Sequence, residues 1–197
     1  MDAEAQRIQA AEERRIAEVR HAQQLQNSEA LLARQLDAQR RAEQVATLPP
    51  IWAAIGRLIV PFQSYAAFLD DDLLRLVRAV DREAAAAEVE RNLHPWTELL
   101  SDLELVFTPA QMVIGEPHVF DALNDLYEET RNLQMLSSNL PLETFRTMTA
   151  PDTTELRAAF QSVVQQRRVM TRVVRDNLTQ VPPLDRKFTW SEIDPDV

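Results

Sequence analysis

The chain has 197 residues, with 21 basic and 31 acidic side chains, two glycines, eleven prolines and no cysteine. Without cysteine there are no disulfides, thiolate zinc sites, iron–sulfur clusters or thiol nucleophiles. Gly56 and Gly115 cannot supply the clustered glycines of a phosphate loop, a dinucleotide fingerprint or a nucleophile elbow, nor the hairpins of a sheet-rich domain. An all-α fold is therefore expected: a long N-terminal helix projecting from a four- to five-helix bundle, with an extended C-terminal tail. The composition deletes many chemistries and names no specific activity.

The formal charge of −10 is local. Residues 1–48 carry 7 basic and 8 acidic side chains, residues 49–150 carry 7 and 16, and residues 151–197 carry 7 and 7. An acidic middle region repels phosphates, so nucleic acid is a disfavoured partner. The first residues, Met1 to Arg20, are polar and charged and contain no secretory apolar core, which makes a cytoplasmic location the default expectation.

Residues 2–46 contain no Gly or Pro and are built from Ala, Glu, Gln, Arg and Leu, the strongest helix formers. They read as one helix of about 65–70 Å at 1.5 Å per residue. On a seven-residue repeat, one seam position takes Ile8, Arg15, Ala22, Glu29 and Leu36, and its companion takes Ala11, Glu18, Leu25, Leu32 and Gln39. Only Ala22 to Leu36 resembles a continuous seam, so the coiled-coil character is weak. A solvated helix held by Glu–Arg pairs fits equally well. Leu48-Pro49-Pro50 ends this helix and divides a segment 1–48 from a bundle 49–180, because a proline cannot extend a helix behind it.

Ile51 to Leu69 is the most hydrophobic stretch and is long enough to cross a bilayer. Against that stand Arg57 near its centre, Pro61, Gln63 and Ser64. Ile51, Trp52, Ile55, Leu58, Ile59, Phe62, Tyr65, Ala66 and Leu69 share one helical face, with Arg57 and Ser64 opposite, as a core helix requires. A core helix bent near Pro61 is the favoured reading, and membrane association of 51–69 is the alternative. Asp70-Asp71-Asp72 can cap a helix running to about Leu93, with Leu73, Leu76, Val77, Val80, Ala84 and Ala87 inward. His94-Pro95 reads as an interruption, and Thr108-Pro109 as a restart or a kink. Gly115-Glu116-Pro117 reads as a stop followed by a start. A helix from Pro117 to Ser137 follows, then a loop from Asn139 to Ala150 with one helical turn at Leu142–Met148. The last helix spans 152–179, started by an Asp152–Glu155 capping pattern, with Leu156, Phe160, Val163, Val164, Met170, Val174 and Leu178 as its stripe. Residues 181–197, with Pro182-Pro183, Phe188, Trp190 and Ile193, read as an extended tail.

Few residues suggest chemistry. Glu18 and His21 have the Glu-x-x-His spacing of di-iron bundles, but Arg91 and Gly115 stand three residues before His94 and His118, so the second motif is missing. His118, Asp121 and Asp125 lie at helical spacing beside Glu116, which reads as N-terminal helix charge before it reads as a metal site. Asp70-Asp71-Asp72 and Asn124-Asp125 lack the further acids of isoprenoid-synthase metal motifs. Arg157, Arg168, Arg172 and Arg175 form a basic stripe that reads as the solvent face of the last helix. No catalytic, cofactor-binding or metal-ligating set is assigned. The expectation is a non-enzymatic scaffold or interaction protein that self-associates or binds a protein partner through residues 2–46.

Overall fold

A computed structural model describes residues 2–179, with side chains from residue 13 onward. The expected tail at 181–197 lies outside the described residues. Every described element is helical: α1 (Asp2–Ala46), α2 (Pro49–Arg57), α3 (Ile59–Asp71), α4 (Leu73–Val77), α5 (Arg82–Val113), α6 (Pro117–Thr147) and α7 (Thr154–Val174), followed by a π-helical turn at Arg175–Thr179. The chain forms two compact units, residues 1–43 and the remainder from Gln44 onward. Val45 and Leu48 already pack into the core of the second unit.

The first unit is helix only. Its side chains from Glu13 to Arg40 are all exposed, including Ile16, Val19, Leu25, Leu31, Leu32 and Leu36. These residues do not make one continuous face. Ile16 and Leu25 are nine residues apart, so at about 100° per residue they point to opposite sides.

The second unit has one core. α6 and α7 pack most extensively, and α5 lies against α2, α3, α4 and α6. Pro49 and Pro50 open α2, where a missing N–H costs nothing. The expected bend in the apolar stretch occurs at Leu58, between α2 and α3. Pro61 has no N–H for the carbonyl of Arg57, and its ring crowds that carbonyl, so the rod breaks one turn before the proline. Ile51, Ile55, Leu58, Phe62, Tyr65, Ala66 and Leu69 are all buried and Trp52 is half-buried, while Ile59, expected inside, is exposed at the start of α3.

The helix expected over 70–93 is two helices. α4 ends at Val77, and α5 starts at Arg82, where the Asp81 carboxylate accepts a hydrogen bond from the Ala84 N–H. Val80, expected inside, is fully exposed, and Ala85 and Val89 face the core in place of Ala84 and Ala87. Asp72 does not cap α4 with its side chain; it pairs with Arg75 at 2.9 Å. The interruption expected at His94-Pro95 is absent, and the helix does not restart at Thr108-Pro109, because α5 continues through both prolines. Pro95 and Pro109 are exposed, as are Arg91 and Leu105 one turn earlier. The carbonyls that the prolines leave without a donor therefore open to water. Trp96, Leu100, Leu103 and Phe107 bury the opposite face and keep the helix continuous across the defects.

Gly115 and Pro117 separate α5 from α6 as expected, and the Glu116 carboxylate accepts from the Val119 N–H at 2.7 Å. α6 continues through Pro141 to Thr147, so most of the expected loop is helix. α6 ends on Met148 in the left-handed region, with φ 57°, and the Met148 carbonyl accepts a hydrogen bond from Arg78. α7 begins at Thr154 rather than at Asp152. The Asp152 carboxylate accepts from the Thr154 N–H at 2.9 Å in place of the expected capping pair with Glu155. Hydrogen bonding to the Thr154 side chain, and then to its backbone N–H, holds the Asp152 carboxyl below its ordinary range. The stripe of the last helix is buried as expected, with Val164 half-buried.

Candidate functional site

The centre of the second unit is a node of aromatic and polar groups. Phe62 stacks on Phe160 with centroids 3.9 Å apart, and Trp96 lies 5.6 Å from Phe62 and 5.3 Å from Tyr65. Burial against these rings excludes water, so each polar atom among them must find a protein partner. Ser137, itself buried, supplies both partners. Its carbonyl accepts from the Tyr65 hydroxyl at 2.6 Å, and its hydroxyl accepts from the Trp96 indole N–H at 3.0 Å.

Pro141 explains why that carbonyl is open. In a regular α-helix the amide of residue 141 would donate to the carbonyl of residue 137. Proline has no amide hydrogen, so Ser137 is left with an orphan acceptor inside the core, and Tyr65 fills it from α3. Burial pushes the Tyr65 phenol above the ordinary phenol range. Its neutral O–H form is the one the core retains. No buried side-chain N or O atom among the described residues lacks a hydrogen-bond partner. The node is a structural join of α3, α5 and α6.

A second join crosses from α3 to α7 near the surface. Asp70 accepts from the Thr153 hydroxyl at 2.8 Å and from the Arg157 guanidinium. One member of the basic stripe is thus paired within the fold, and Arg175 pairs with Asp176 at 3.1 Å. Arg168 and Arg172 are exposed.

The other candidate groups do not converge. Glu18 and His21 are exposed on α1. His94 pairs with Glu98 at 3.2 Å on the surface of α5. Glu116 caps α6, Asp121 and His118 are exposed, and Asp125 accepts from Gln166 at 3.4 Å. Among the described residues, no three His, Asp or Glu side chains are arranged to hold a metal ion.

The remaining surface feature is apolar. On α6, Met135 and Leu142 are 61% and 65% exposed, and Phe145 is also exposed. These residues follow the 4–3 spacing Arg131, Met135, Ser138, Leu142, Phe145, which places them in one row on the side away from the core. A solvent-open groove lined by Arg131, Gln134, Met135, Ser138 and Asn139 runs beside the row. The sequence pattern beyond Ser137 reads as a loop, and the row exists only because α6 continues. Among the described residues, one helical stretch within residues 13–71 is long and apolar enough to cross a membrane by length and composition. Compared with known proteins, the chain matches no family model, no curated protein and no solved structure.

Proposed function

We propose that this chain is a non-enzymatic helical interaction protein that uses α1 to self-associate or to bind a protein partner. The observation that carries this reading is the exposure, at 51–57%, of Leu25, Leu32 and Leu36 on α1. At about 100° per residue these three leucines fall within an arc of about 40°, with Ala22 flanking it. Exposed leucines aligned on a long helix lose free energy to water, and covering them recovers about 25 cal/mol per Å².

The reading is tested by placing a photo-crosslinking residue at position 25 or 32, with position 27 as a control on another face. Adducts to a second copy or to another protein, formed from 25 and 32 and not from 27, support it. No adduct from either position, in purified protein or in the expressing cell, overturns it.

Membrane association of segment 51–69 is the competing reading, supported by its length and apolar composition. Against it stands the packing of Phe62 and Tyr65 on Trp96 and Phe160. Moving the segment into lipid would strip those partners and leave the rest of the core exposed. Vesicle flotation separates the two: protein that floats with vesicles favours the bilayer.

A further inference from the structure

Resting on the reading of α1 as an association handle, we infer that its partner is a second copy of this chain, and that α1 of one copy lies antiparallel along the outer row of α6 of the other. The two rows match in length. Ala22 to Leu36 and Arg131 to Phe145 each cover fourteen residue steps, about 21 Å. Both follow the alternating three- and four-residue spacing that lets side chains of one helix enter gaps of another.

The antiparallel register makes the layers complementary. Leu25 meets Leu142, and Leu32 meets Met135. The small Ala22 meets Phe145, and Leu36 lies along the aliphatic stem of Arg131. Glu29, the polar interruption in the α1 seam, falls opposite Ser138. The Ser138 hydroxyl now donates to the Gln134 carbonyl at 3.0 Å and is exposed, so it can turn toward a carboxylate. The Gln134 side-chain amide, on the groove beside it, offers a second donor. At the edges Arg40 comes beside Asp125, and Gln26 beside Asn139.

Glu29 also disfavours two ways of pairing α1 with α1. A parallel pair sets Glu29 against Glu29, a like-charge contact in the seam. An antiparallel pair that joins Leu25 to Leu36 sets Glu29 on Leu32 twice, burying two carboxylates without donors. The α6 row places the Ser138 hydroxyl opposite Glu29, with the Gln134 amide beside it. Each copy carries one α1 seam and one α6 row, so in the proposed pair each seam covers the other copy's row.

The test is light scattering of the full chain with Leu32→Glu, Met135→Arg, Leu142→Glu and the Leu32→Glu/Met135→Arg pair. All three positions are exposed, and circular dichroism checks that helix content is kept. The wild type is expected at twice the 22.5 kDa chain mass, each single variant at the chain mass, and the paired variant again at twice that mass. A wild-type monomer at every concentration overturns the inference. So does a paired variant that stays monomeric. A dimer lost in Leu32→Glu but kept in Leu142→Glu removes α6 as the partner surface while leaving α1 as the handle. A wild-type monomer whose α1 crosslinks to a different protein has the same meaning.

Discussion

Removing the Tyr65 hydroxyl is the sharpest probe of the core. Tyr65 is 2% exposed, and its hydroxyl lies 2.6 Å from the Ser137 carbonyl. Pro141 denies that carbonyl its usual helical donor. Tyr65→Phe therefore leaves a buried acceptor unpaired, at a cost of about 1–3 kcal/mol. Pro141→Ala restores an amide that reaches the Ser137 carbonyl. In that background the carbonyl keeps a partner when the hydroxyl is removed, and the same Tyr65→Phe change is expected to cost less by about 1 kcal/mol or more. The small void left by the proline ring is common to both proteins that carry Pro141→Ala, and it cancels in the cycle. Urea unfolding followed by circular dichroism gives the four stabilities. Equal costs of Tyr65→Phe with and without Pro141→Ala would refute the argument, because Tyr65 and Pro141 would then act independently.

Three further outcomes follow from the same structure. The Tyr65 phenol is raised in the fold and titrates near pH 10 when unfolded, so its contribution is complete below about pH 10 and falls above it by up to about 1.4 kcal/mol per pH unit. Urea midpoints from pH 9 to 11 should fall more steeply for the wild type than for Tyr65→Phe, and identical slopes would count against a buried phenol. Gly56→Ala should stabilise by about 0.5–1 kcal/mol, since the new Cβ meets only the Arg167 guanidinium at 4.0 Å in a helical backbone; a lower thermal midpoint would show that the site is tighter than this. Pro95→Ala should raise stability by about 1–3 kcal/mol by returning an amide to the Arg91 carbonyl on the exposed face of α5, and a loss would mean that the proline shapes the helix.

Local composition was enough for much of this chain. α1 follows from an uninterrupted run of strong helix formers, and its bounds, Asp2–Ala46, are those expected. The stop at Gly115 and start at Pro117, and the inward stripe of α7, also follow from neighbours in sequence. The start of α5 did not. Asp81 and Asp70–Asp72 are similar capping residues, and only the packing of Leu76, Ala85 and Val89 selects between them. The outer row of α6 was hidden for the same reason, since it depends on whether the helix outlasts Pro141.

The prolines mark the division between sequence and tertiary structure. Sequence alone says that each proline removes one amide and orphans one carbonyl a turn earlier. It does not say where that carbonyl will sit. At Pro49 and Pro50 a helix is starting, so nothing is lost. At Pro61 the rod breaks at Leu58. At Pro95 and Pro109 the carbonyls open to water, and α5 continues. At Pro141 the carbonyl is buried, and α6 continues because Tyr65, 72 residues away from Ser137 in sequence, donates the missing hydrogen bond. Composition determined that this protein is helical; the surroundings of each orphaned carbonyl, water at Pro95 and Pro109 and the Tyr65 hydroxyl at Pro141, decided whether the helix ran on.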